Sequence, residues 1–249
     1  WVNPRPDLPP DYADYMETHM AGGATWDAPT GGHIMWTRSQ DEGATWTPPR
    51  DLLVLPDAYA PGAIMQHSDG TMYAAALIQS GHYWAGNLPE QPIEFLRRMH
   101  ESFPEQIVVL RSEDLGESWQ EVGRTSGPFL TRLEHPCSIT EAPDGSLLML
   151  TDGHAAPVSE SRWVNALLHS TDRGQSWQTR SIFGDGERDM EEGHLAILPD
   201  GRLGTASRPW GLWTTSDDEG FTWSEPRPLL EFELPEGRSH PNAFKKGDL

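Results

Sequence analysis

The chain has 249 residues, with 22 prolines, 24 glycines and 11 tryptophans, a composition that suits a turn-rich, all-β repeat protein. Eighteen basic residues against 38 acidic ones leave a formal net charge of −20, which repels nucleic acid and anionic membranes, and no run is long and apolar enough to insert into a membrane. The single cysteine, Cys137, excludes an internal disulfide and a structural zinc cluster; it falls inside a predicted strand, where a buried thiol is expected.

In chain order, residues 1–30 form a long connection before the first predicted strand, His33–Thr37. That strand runs into Ser39-Gln-Asp41-Glu-Gly43-Ala-Thr-Trp46. The same pattern, Ser-x-Asp-x-Gly-x-x-Trp, returns at Ser112–Trp119, Ser170–Trp177 and Ser216–Trp223. Each copy follows a short apolar run: Gln106–Leu110, Asn165–His169 and Gly211–Thr215. A further strand follows each Trp, so each box reads as a hairpin turn. Gly at the fifth position supplies positive φ, the Asp carboxylate accepts turn hydrogen bonds, and the Trp covers the hairpin. These are scaffold roles.

Successive boxes start 73, 58 and 46 residues apart, the length of a four-stranded blade with insertions. Upstream of three boxes lies an Asp-Gly turn between apolar runs: Asp69-Gly70, Asp144-Gly145 and Asp200-Gly201. One blade thus reads as inner strand, Asp-Gly turn, second strand, variable loop, third strand, box and fourth strand. Residues 80–104 form a second long insertion between second and third strands, in which Pro92 is placed to start a short helix over Ile93–His100.

The repeated motif is the Asp-box, and from about residue 31 to the end the chain resembles the sialidase-like β-propeller superfamily. The resemblance implies an all-β, partial six-bladed propeller with four-stranded antiparallel blades. Residues 1–249 are expected to form a single incomplete propeller domain. Its blades cover about 31–55 in part, 57–125, 128–182, 187–230, and 238–249 in part. The chain is therefore expected to be a fragment that begins mid-blade and ends mid-hairpin. Inner strands of a propeller start near its axis, and loops at that end form the binding face, away from the boxes.

The most specific constellation is Glu191-Glu192-Gly-His194 through Asp200-Gly201 to Arg208-Pro209. It looks like the sialidase segment in which a Glu opens an inner strand and an Arg closes the next. Sixteen residues separate Glu192 from Arg208, and a hairpin of that length returns the Arg to the Glu. The resemblance makes Glu192 the residue that polarises a Tyr nucleophile, with Glu191 as the register alternative. It makes Arg208 one of three arginines gripping a substrate carboxylate. Asp27, in Trp26-Asp27-Ala-Pro-Thr-Gly-Gly-His33, resembles the loop carrying the acid/base Asp, although the Arg that sialidases often place before it is absent. Asp152, at a second-strand end as Arg208 is, and His135 and Arg238, at inner-strand starts, map to the same face as candidate substrate-binding residues. His154 follows Asp152 and reads as a satisfied loop residue. Aromatic residues of the 80–104 insertion suit either sugar stacking or packing onto the blade.

The function implied is an exo-acting glycoside hydrolase that releases a terminal acidic sugar from a glycan or glycoconjugate, with retention, through a Tyr–sugar intermediate. It needs no metal or organic cofactor. The Tyr is expected beyond Leu249 and the first Arg before residue 1. The chain's acidity repels an anionic sugar at long range, so binding one requires a local cationic pocket. Two alternatives stay open: a related propeller glycosidase or lyase with another substrate, and a non-catalytic carbohydrate- or protein-binding propeller.

Overall fold

The computed structural model describes residues 32–55, 58–78, 105–129, 133–155 and 158–229, which contain fourteen strands and no helix. Asp27, Arg238, both long insertions and the helix expected at 93–100 lie outside these residues. Strand β1 (Gly32–Trp36) pairs with β2 (Arg50–Leu55). Three four-stranded antiparallel sheets follow, each with its strands in chain order. The first is β3 (Ala58–Gln66), β4 (Met72–Ile78), β5 (Gln106–Ser112) and β6 (Gln120–Thr125). The second is β7 (Leu133–Glu141), β8 (Leu147–Ala155), β9 (Ser159–Ser170) and β10 (Gln178–Phe183). The third is β11 (Met190–Ile197), β12 (Leu203–Pro209), β13 (Leu212–Ser216) and β14 (Arg227–Pro228). The chain divides into two compact units, 1–60 with 78–105, and 61–77 with 106–249; the second holds nearly all of the three sheets.

The second sheet contributes the largest share of the buried core among the described residues. All nine residues of β8 are buried, so a continuous apolar run, Leu147–Leu150, replaces the alternation of a half-exposed strand. Leu148, Leu150 and Leu167 of this sheet join Met190, Leu195, Leu203 and Leu212 of the third in one cluster.

Each box closes on itself. In the third copy the Ser170 hydroxyl donates to Asp172 Oδ1 at 2.8 Å and accepts from the Gly174 amide at 2.9 Å. The Ser176 amide and hydroxyl both donate to the Asp172 carboxylate. The other copies repeat this, with Thr45, Ser118 or Thr222 as the second hydroxyl. The motif thus has a fifth constant, a hydroxyl at its seventh position. The turn also needs two left-handed residues, not one. Glu42, Leu115, Arg173 and Glu219 have φ of 57–62°, directly before glycines at 84–92°. The glycines also pack: a Cβ on Gly220 would meet Leu167 Cδ2 at 2.2 Å, across the seam between sheets. The tryptophans diverge from the expected cover. Trp46 and Trp177 donate to the carbonyl of their own box glycine, yet Trp46 stays 61% exposed. Trp223 turns to the neighbouring sheet, stacks on Phe183 at 4.1 Å and donates to Ser181 Oγ.

Removing one carboxylate tests this scaffold. Asp172→Ala strands several turn donors and is expected to cost about 1–3 kcal/mol in urea unfolding, with substrate affinity unchanged. A large loss of activity at an unchanged melting temperature would contradict the scaffold role. The boxes also predict a pH dependence. Hydrogen bonds from the seventh residue, hydroxyl first and then amide, lower the Asp41, Asp114 and Asp218 carboxyls from 3.8 to about 2. A carboxyl depressed in the folded state adds stability that is complete above its unfolded value. That stability is lost as pH falls through the folded one. Thermal melts should therefore show the box contribution intact at pH 5–7 and fading between about pH 4 and pH 2. A loss already complete at pH 5 would assign acid sensitivity to other groups.

Candidate active site

The hairpin β11–β12 brings Glu191, Glu192 and Arg208 to one end of the third sheet. Glu191 pairs with Arg208, but the next pair is His194 with Ala206, so β11 carries one extra residue. This bulge places Glu192 at φ 46°, a left-handed conformation that a non-glycine residue holds only when its surroundings enforce it. Gly193 completes it: a Cβ there would lie 2.5 Å from Asn165 Oδ1 and 2.7 Å from Ser207 Oγ. In a regular strand, Glu191 and Glu192 would point to opposite faces. The bulge cancels that alternation, and both carboxylates reach Arg208. Glu191 Oε2 lies 2.9 Å from Arg208 Nη2. Glu192 Oε2 lies 2.7 Å from Arg208 Nε, an ion pair by distance whose N–H is not directed at the oxygen. The Glu192 and Arg208 side chains are 41% and 39% exposed, open enough to meet a ligand.

The second sheet supports this end. Asp152 of β8 is fully buried. Its Oδ2 accepts from the Glu192 amide at 2.9 Å, and its Oδ1 accepts from the Cys137 thiol at 3.2 Å. Asn165, paired with Asp152 across β8–β9, donates to Ser207 Oγ at 3.0 Å. Three carboxylates and one guanidinium therefore meet here.

The box turns lie at the opposite end. β13 starts beside Ser207 and ends beside Leu203, where box four begins, so the boxes share an end with the Asp-Gly turns.

The other expected residues fall out as follows. Asp152 sits at the predicted strand end, buried, with its carboxylate accepting from the Glu192 amide. Its contacts to the Glu192 amide and the Cys137 thiol are internal ones. Cys137, expected buried, is only half-buried, its thiol turned along the sheet to Asp152. His154 is not in a loop; it is buried in β8 with its ring 4.8 Å from Trp163. The backbone of His135 lies in β7 between Leu133, paired with Gly153, and Pro136, paired with Thr151; its side chain lies outside the described residues. Asn165 was missed, although a lone amide inside Trp163-Val-Asn-Ala-Leu-Leu168 is a visible signal of a buried polar contact. Among the described residues no cluster of His, Cys, Asp and Glu has a metal-holding arrangement.

Protein-family models give no match to the sequence, and no curated protein matches it. Solved structures do. A protein of unknown function from Dyadobacter fermentans is similar with a TM-score of 0.63 and 20% identity, over 88% of this chain and 64% of that one. The intramolecular trans-sialidase from Ruminococcus gnavus, in complex with oseltamivir carboxylate, gives a TM-score of 0.60 and 16% identity, over 82% and 65%. The K499G mutant of the NanB sialidase from Streptococcus pneumoniae gives 0.57 and 16%, over 85% and 49%. The chain thus spans about half to two thirds of the structures it matches. Its fold is that of the sialidase-like β-propellers, built from four-stranded antiparallel blades.

Proposed function

We propose that the protein is an exo-acting glycoside hydrolase that releases a terminal sugar from a glycan by a retaining mechanism. The observation that carries this reading is the bulged hairpin that sets Glu192 within 2.7 Å of Arg208, at the end away from the boxes. In this reading Glu192 takes the proton of a Tyr nucleophile supplied from outside this sequence. Arg208 meets a carboxylate on the sugar with its planar fork. Asp27 serves as acid/base, and Arg238 and His135 add substrate contacts.

The electrostatics favour a second reading of the substrate. Among the described residues, Arg208 is already flanked by two carboxylates, those of Glu191 and Glu192, and its charge is engaged by them. A neutral sugar suits this end better than an anionic one.

A panel of aryl glycosides containing a sialoside and neutral sugars tests both readings on the full-length protein. With an acidic substrate, Arg208→Ala is expected to raise KM about tenfold to hundredfold, the worth of a charged hydrogen-bonded pair. Cleavage of neutral glycosides alone would select the second reading. Glycan binding without cleavage of any substrate would make the protein a binding propeller.

A further inference from the structure

We infer that Asp152 is a positioning residue for Glu192. It acts from the neighbouring sheet by holding the backbone that aims the Glu192 carboxylate at Arg208. The kinetic part of the inference rests on the function proposed above; the structural part does not.

The seam between the second and third sheets is bridged at several levels. The Ser138 hydroxyl accepts from the Leu195 amide at 2.9 Å, and Asn165 donates to Ser207 and to the Met190 carbonyl. Those bridges are neutral. The bridge to the Glu192 amide uses the carboxylate of a fully buried side chain, whereas Asp189, whose carboxylate accepts from the Trp163 amide of β9 at 3.1 Å, is partly exposed. A buried anion carries a large desolvation cost that a serine or asparagine avoids. Joining two sheets does not require it, as Ser138 shows.

The amide that Asp152 receives is also unusual. It belongs to the residue at φ 46°, the point where the bulge sets both glutamates beside Arg208. A hydrogen bond to a charged acceptor is stronger than a neutral one and offsets the left-handed strain. The Cys137 thiol donates to the other carboxylate oxygen and helps fix its plane. Without the acceptor, Glu192 relaxes toward extended backbone. Strand alternation then carries its carboxylate to the face opposite Glu191, away from Arg208.

Asp152→Ala and Asp152→Asn in the full-length protein test this. Hydrogen exchange at the Glu192 amide needs no substrate. It should accelerate by about tenfold or more in Asp152→Ala, with the Leu195 amide, held by Ser138, nearly unchanged. Asp152→Asn keeps an acceptor oxygen and should stay within about threefold of wild type. On any glycoside the wild type cleaves, Asp152→Ala should lower kcat by about tenfold or more with KM little changed, and Asp152→Asn should recover most of that loss. Should the alanine variant not fold, Asp152→Ser, polar but one atom shorter, is expected to show the alanine pattern. Unchanged exchange at Glu192, equal acceleration at Leu195, or unchanged kcat in folded Asp152→Ala or Asp152→Ser overturns the inference. If the wild type cleaves no glycoside, the proposed function fails while the exchange measurement still decides the positioning role.

Discussion

Glu192→Gln should lower kcat by about 10²- to 10⁴-fold with KM little changed, the usual loss when a proton-accepting group is removed. Gln has nearly the same shape, so the bulge and the Asp152 contact, which use the Glu192 backbone, remain. What disappears, on the proposed mechanism, is the ability to take the Tyr proton. Glu191→Gln is the matched control, because Glu191 also contacts Arg208 but from the strand rather than the bulge. Steady-state kinetics and melting temperatures on both variants separate them. A larger kcat loss for Glu191→Gln would transfer the role to Glu191. Equal wild-type activity in both would place the chemistry elsewhere.

A large stability effect is expected at Gly123. This residue lies on β6, opposite Val109, and faces the box turn of the second sheet. A Cβ there would sit 2.3 Å from the Gly174 carbonyl oxygen and 2.6 Å from that of Gln175. Both are backbone atoms inside a turn tied by its own hydrogen bonds, so neither can move aside cheaply. Gly123→Ala must part the two sheets and should cost about 3 kcal/mol, the upper part of the usual overpacking range. Gly201→Ala is the contrast: φ is +87° there, but nothing lies within 4 Å of the added carbon. Its cost is backbone strain alone, about 1 kcal/mol. Urea midpoints that rank the two in the reverse order would show that the seam adjusts and that the turn is the stiffer element.

The fold was legible because its determinants are local. A box and an Asp-Gly turn each fall within eight residues, and their repetition separates signal from chance. The hairpin returning Arg208 to Glu192 was legible for the same reason, since an Asp-Gly turn sets its length. What stayed hidden depends on contacts between sheets. Asp152 reaches an amide 40 residues away, and no pattern within β8 shows that its side chain turns inward. The choice between Glu191 and Glu192 could not be made by alternation, because a bulge removes the alternation at that point. Gly193, directly after Glu192, was the available hint that regular strand geometry ends there. The Trp roles diverged because an identical motif residue meets a different neighbour in each sheet: Phe183 and Ser181 for Trp223, largely solvent for Trp46.

The two kinds of contact differ in when they can form. Every hydrogen bond that the Asp172 carboxylate accepts within its own box spans at most four residues, so a box can close in an otherwise unfolded chain at small entropic cost. The bridge from Asp152 to Glu192 requires two sheets to be complete and docked. Box turns are thus expected to be ordered early in folding and the Glu192–Arg208 geometry late. Pulse-labelled exchange during refolding should protect the Gly174 amide before that of Glu192, and the reverse order would refute this sequence. No single sheet then fixes the Glu192–Arg208 geometry, which is complete only once the two sheets have docked.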